Sequence, residues 1–119
     1  MFVGVIATVH AQDAAAGEKV FFVCRACHEI GPGAKSAIGP ALNGIVGRKA
    51  GTFPGFAYSD ANKGSGIVWT AEELNRYLAN PQKVVPQTKM AFPGLPSEQK
   101  RKDVIAYLEQ FKADGNKKE

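Results

Sequence analysis

Cysteine and histidine are scarce in this chain, with two of each in 119 residues. A structural zinc centre asks for about four such ligands, so that class is excluded, the more so because His10 stands in a short N-terminal segment unlike the rest. No run of about 18 or more apolar residues exists, so no helix of the processed chain is expected to span a bilayer. Charge of one sign is never concentrated. The 15 Lys+Arg against 11 Asp+Glu give a net charge of +4, and only Lys100-Arg101-Lys102 and Lys117-Lys118 are adjacent, in stretches that read as a solvated helix face and tail. A nucleic-acid partner is therefore not expected. Internal repeats are absent, and no segment alternates as a strand should, which leaves an all-α fold with long loops.

What is present begins with a chain long enough for one domain and too short for two. A domain of this size buries only about two-thirds of its unfolded surface, so a covalent or metal staple would help it. Residues 1–11 carry a short apolar run (Val3, Val5, Ile6, Ala7, Val9) ending in Val9-His10-Ala11, which reads as the end of a secretory signal lacking its basic region. Residues 12–119 are then the single domain, beginning at Gln12.

Helix signals follow. Asp13 is suited to cap a helix through Val20 and Phe21. The glycine-dense stretch from Gly31 to Gly66 has neither helical nor strand period, and is reasonable in a compact domain only if its loops wrap a cofactor. One helical turn is expected at Ser59 to Lys63, stopped by Gly64. Thr70-Ala71-Glu72-Glu73 has the form of a capping box and opens a helix that stops before Pro81. Pro81 to Pro96 reads as irregular. Ser97 starts the last helix, where Val104, Tyr107, Leu108 and Phe111 form an apolar stripe. The polar tail from Asp114 is expected to fray.

Between the first helix and the glycine-dense region stands Cys24-Arg25-Ala26-Cys27-His28. C-x-x-C-H is the pattern of c-type haem attachment. The spacing has a chemical reason: two thiols two residues apart can add to the two vinyl groups along one porphyrin edge, and the next residue then lies under the iron. A thioredoxin-like pair would need a βαβ context that is missing, and a Cys24–Cys27 disulfide would not call for His28. For the sixth ligand, elimination leaves Met90: Met1 starts the chain and His10 would leave with the signal. A His/Met pair raises the haem potential. The alternative for Met90 is a core-filling role, but it stands in a polar, proline-bounded loop.

Several further segments stand in a familiar order: Gly39-Pro40-Ala41-Leu42-Asn43-Gly44, Gly47-Arg48-Lys49, Pro54-Gly55-Phe56-Ala57-Tyr58-Ser59-Asp60-Ala61-Asn62-Lys63, Gly66-Ile67-Val68-Trp69, Tyr77-Leu78-Ala79-Asn80-Pro81 and Thr88-Lys89-Met90-Ala91-Phe92. Over nearly the whole chain after the leader, the sequence resembles the class I cytochromes c, most closely the bacterial c2 type. The resemblance implies the cytochrome c fold, with three main helices, short helical turns and long loops around one haem c joined to Cys24 and Cys27. It implies that Pro40 offers a carbonyl to the His28 ring. It implies that Arg48, Tyr58 and Trp69 bond the haem propionates, and that Asn62, Tyr77 and Thr88 form a polar network beside the Met90 sulfur. Phe92 would shield the haem edge, and Gly17 would meet Tyr107 where the terminal helices cross. Two departures stand out. Gln87 replaces the usual glycine before Thr-Lys-Met, and the run from Gly17 to Cys24 is one residue short, leaving open whether Phe21 or Phe22 fills the helix-packing site.

The expected function is that of a monomeric, non-enzymatic one-electron carrier with a six-coordinate His/Met haem. Arg25, Lys35, Lys83 and Lys89 are expected to form a basic rim for acidic redox partners, such as a cytochrome bc complex and an oxidase, reaction centre or dehydrogenase. The leader favours the bacterial periplasm over the mitochondrial intermembrane space. A haem peroxidase is the alternative if the Met90 bond is labile.

Overall fold

A computed structural model describes residues 13–53, 56–90 and 92–118. The signal remnant at residues 1–11 and the chain start at Gln12 lie outside the described residues. Five helices follow one another: α1 (Ala14–Phe21), α2 (Asp60–Lys63), α3 (Ala71–Ala79), α4 (Pro81–Val84) and α5 (Glu98–Glu109). Among the described residues no helix is long and apolar enough to cross a membrane. Two isolated β-bridges, Lys49 with Val68 and Phe111 with Lys117, are the only strand-like pairings described. The all-α expectation therefore holds.

The helix starts are local chemistry. Asp13 accepts the backbone N–H groups of Ala15 and Ala16, Ser59 that of Asn62, Thr70 that of Glu73, and Ser97 that of Lys100. Each side chain satisfies a donor that the first helical turn leaves unpaired. The box at Thr70 is only half formed. Its hydroxyl accepts the Glu73 N–H at 3.2 Å, but the Glu73 carboxylate turns to Arg76 at 2.9 Å and the Thr70 N–H donates to Val68 O.

Two expectations are corrected. The stretch after Pro81 is not wholly irregular, because Asn80 caps α4 with Pro81 at the helix start, where the missing proline N–H costs nothing. The tail does not fray at residues 112–118. The Lys112 N–H donates to Asn116 O at 2.9 Å and the Lys118 N–H to Gln110 O at 2.7 Å, folding the chain back so that Lys117 lies over the Phe111 ring. This hook sets Gly115 against the Gly31 carbonyl.

The core is built where α1 crosses α5. Phe21, Val104, Ile105, Tyr107, Leu108 and Phe111 are buried there, joined by Leu74, Tyr77 and Leu78 from α3. Phe21 is fully buried and Phe22 is 75 % exposed, so Phe21 fills the packing site, its ring 5.4 Å from that of Tyr107. Asp103, buried on α5, accepts the Asp13 N–H at 3.0 Å and the Gln99 amide at 2.8 Å, pinning the start of α1. A Cβ on Gly17 would enter the space of the Asp103 carbonyl and crowd the Tyr107 Cβ.

Gly17→Ala is therefore expected to lower the unfolding free energy by about 2 kcal/mol, the usual scale of overpacking, as read from a guanidinium titration.

Candidate functional site

The attachment motif occupies the turn that leaves α1. Backbone bonds from Cys24 N to Phe21 O, Cys27 N to Cys24 O and His28 N to Cys24 O wind it tightly. Cys24 and Cys27 are free and half-buried. Burial, with the neighbouring Cys27 a lesser cause, pushes the Cys24 thiol up to about 11. A redox dithiol needs its attacking sulfur as thiolate near neutral pH, so Cys24 is poorly suited to be that sulfur.

His28 is seated by the return of the chain. Its Nδ1 lies 2.7 Å from Pro40 O. A carbonyl only accepts, so Nδ1 carries the proton and Nε2 keeps a lone pair. Burial moves the ring pKa below the usual histidine value, against the opposing effect of the Pro40 bond, so the ring is neutral at pH 7. Gly39 makes room: a Cβ there would overlap the imidazole.

Arg48 enters from the far side of the same loop. Its Nη1 donates to Asn43 O at 3.0 Å and its Nη2 to Ala41 O at 3.3 Å, with the guanidinium 5.0 Å from the Phe53 ring centre. Burial depresses its pKa, but a guanidinium remains charged. Its Nε is buried with no hydrogen-bond partner among the described residues. The Tyr58 hydroxyl accepts the Phe53 N–H at 3.1 Å. Trp69 is buried against Tyr77, with ring centres 4.8 Å apart.

Around Met90, the Tyr77 and Thr88 hydroxyls are 2.8 Å apart, and the Met90 N–H donates to the Thr88 hydroxyl at 3.3 Å. Burial raises the Tyr77 pKa, a shift the Thr88 bond partly offsets, so the phenol stays protonated. Asn62 does not join this pair; its Oδ1 is buried and unpartnered. Met90 packs half-buried against the core. Phe92 is half-buried. Gln87 has φ 66°, the only non-glycine with positive φ among the described residues.

The four rim cations are exposed but differ in freedom. Arg25 reaches Tyr107 Oη at 3.4 Å and lies 5.2 Å from the Phe21 ring centre. Lys89 donates to Ala57 O at 3.2 Å. Among the described residues, Lys35 and Lys83 are held only through their backbone N–H groups, by Glu29 and Asn80. The sequence reading gave no role to Asn43, which the structure buries with both amide atoms bonded. Its only signal was an amide side chain inside a glycine-rich loop.

Comparison with known proteins places these features. The family model described as cytochrome c matches residues 14–112. The chain is 58 % identical to cytochrome c2 of Blastochloris viridis over 113 residues, covering 95 % of this chain and 89 % of that protein. It is 60 % identical to cytochrome c2 of Rhodoblastus acidophilus over 107 residues, covering 90 % of this chain and all of that one (100 %). Among solved structures, cytochrome c2 from Rhodospirillum centenum is similar with a TM-score of 0.80 at 45 % identity, covering 84 % of this chain and 98 % of that one. Cytochrome cH from Methylobacterium extorquens gives a TM-score of 0.76 at 50 % identity, covering 81 % and 96 %.

The left-handed backbone at Gln87 costs a residue with a Cβ about 1–2 kcal/mol, while glycine gives back part of that gain through unfolded-state entropy. Gln87→Gly should raise the unfolding free energy by about 0.5–1 kcal/mol, measured by denaturant titration.

Proposed function

This chain belongs to the cytochrome c family, among the class I cytochromes of the bacterial c2 type, and on that premise we propose that it is a periplasmic one-electron shuttle whose haem iron is held between His28 and Met90. The family's prosthetic group is one haem c, bound through the two cysteines, Cys24 and Cys27, and its c2 members are electron carriers rather than enzymes. When bound, the haem supplies an iron that accepts and returns a single electron.

The observation that carries the reading is the His28 ring. It is neutral, its Nδ1–H is committed to Pro40, and it follows directly on Cys27, so Nε2 is the atom it has to offer a metal. The residues fit the group in a second respect. The buried, partnerless Nε of Arg48 is a cationic donor suited to a carboxylate, which a haem propionate would provide. Leu42, Val46, Ile67, Val84, Leu95 and Met90 pack against the core while remaining only partly buried, an apolar lining suited to a flat hydrophobic macrocycle.

In this reading each residue has a limited task. Pro40 fixes the tautomer and raises the basicity of His28. Arg48, Tyr58 and Trp69 hold the propionates and keep water away from them. Tyr77 and Thr88 orient the loop whose methionine would complete the coordination, and Phe92 covers the edge. With His28 and Met90 both holding the iron, no position would remain for oxygen or an organic substrate. Lys35 and Lys83, whose side chains meet no partner among the described residues, contribute most to a basic docking rim that Arg25 and Lys89 extend. Acidic redox proteins such as a cytochrome bc complex, an oxidase, a reaction centre or a dehydrogenase would meet it through a small, short-lived contact.

Absorption spectra of the oxidised and reduced protein test the ligation. A low-spin c-type spectrum with the weak near-infrared methionine–iron band is expected, and Met90→Ala should abolish that band and lower the midpoint potential. A wild-type spectrum without the band would remove Met90 from the iron and favour a peroxidase-like site. For the rim, neutralising Arg25, Lys35, Lys83 and Lys89 together should flatten the fall of the electron-transfer rate with ionic strength, since screening acts over about 8 Å at physiological salt. An unchanged slope would eliminate the rim.

A further inference from the structure

After His28 the chain leaves the attachment turn, loops outward and comes back alongside itself. Residues 27–31 and 39–43 then run side by side in the same direction. The Gly39 N–H donates to Cys27 O at 2.8 Å and the Leu42 N–H to Glu29 O at 3.0 Å. The next step of this pairing is made by a side chain. The Gly31 N–H donates to Asn43 Oδ1 at 2.8 Å, and Asn43 Nδ2 donates back to Gly31 O at 3.0 Å. Both bonds are buried, where water does not compete and an unmade bond is costly.

Asn43 also acts through its backbone. Its carbonyl takes the Arg48 Nη1–H, and the neighbouring Ala41 carbonyl takes Nη2–H. Directly before Ala41 stands Pro40, whose carbonyl accepts the His28 ring N–H. The loop carrying that carbonyl is thus held at one end by the Gly39–Cys27 bond and at the other by the Asn43 clamp. The clamp needs a donor and an acceptor on one short planar group. Aspartate lacks the donor, leucine lacks both, and glutamine is a methylene too long for a buried site.

We propose that Asn43 is the positioning residue for the proximal ligand: its two-bond clamp on Gly31 sets the distance between the Pro40 carbonyl and the His28 ring, and the same residue aims Arg48. The proposal rests on His28 being the iron ligand. A residue that merely supported the fold would change stability alone, whereas a positioning residue changes the Pro40–His28 hydrogen bond itself, and hence the electron donation of the imidazole.

The experiment uses the isotope-labelled, reduced holoprotein and reads the chemical shift of the His28 Nδ1 proton, which reports hydrogen-bond strength rather than global stability. Asn43→Leu is expected to move that resonance upfield, as for a longer bond. Val104→Ala, which loosens the α1–α5 core, should lose stability and leave the resonance in place. Asn43→Ser should produce a smaller displacement in the same direction, and carries the test if the leucine variant does not fold. A resonance at the wild-type position in the folded Asn43 variants would overturn the proposal. A wild-type protein without a low-spin c-type spectrum would instead remove the reading of His28 on which it rests.

Discussion

One hydrogen bond, from the His28 ring to the Pro40 carbonyl, organises half of the molecule around it. Because His28 follows Cys27 directly, its ring shares one turn of chain with the two cysteines. Such a turn has no freedom to choose a rotamer late; the imidazole must be held from outside. The holding carbonyl has to come from a segment that returns within a dozen residues, and that return dictates the glycine at position 39, the side-by-side run of residues 27–31 and 39–43, and the two carbonyls that receive Arg48. A stretch without regular secondary structure therefore need not lack definition, since its backbone groups find fixed partners along the return path.

The other half of the molecule keeps that turn in place. Three rings, Phe21, Tyr107 and Phe111, stack in succession at 5.4 and 5.2 Å where α1 meets α5. Arg25, inside the attachment motif, lies across the first ring and reaches the hydroxyl of the second. The aromatic stack thus does more than bury area, although area is its main contribution; it ties the motif to the last helix through a side chain that looks, from its charge, like a free surface group. The basic character of the rim and the packing of the terminal helices are coupled at this one residue.

Most of this was legible because it is local. Asp13, Ser59, Thr70 and Ser97 announce helix starts through bonds spanning two or three residues, and C-x-x-C-H declares its chemistry by spacing. The stripe from Val104 to Phe111 declared a core face by its period. What was missed depends on partners far along the chain or on backbone alone. Pro81 was read as a breaker, although at the first position of α4, behind the Asn80 cap, it is a starter. The hook at residues 112–118 is held by main-chain bonds that any sequence of suitable turn residues could make. Asn62 belongs to the resemblance but makes no bond to Tyr77 or Thr88 here. The choice between Phe21 and Phe22 required the helix crossing, since both are phenylalanines on consecutive positions. Asn43 is the clearest case: nothing in an amide within a glycine-rich loop says that both its atoms will meet Gly31.

The pairing of the first helix with the last also orders events during synthesis. α1 has eight residues, too few to persist alone in water, and the groups that bury Phe21 and receive the Asp13 N–H lie on α5 and just beyond it. The cysteines, in the turn that leaves α1, therefore follow an unformed helix until residues past 103 have emerged. Throughout that interval both thiols remain reachable, and the pocket that would later enclose their adduct has not closed. The layout of the chain thereby makes α1, and the turn that follows it, dependent on the last helix for its burial.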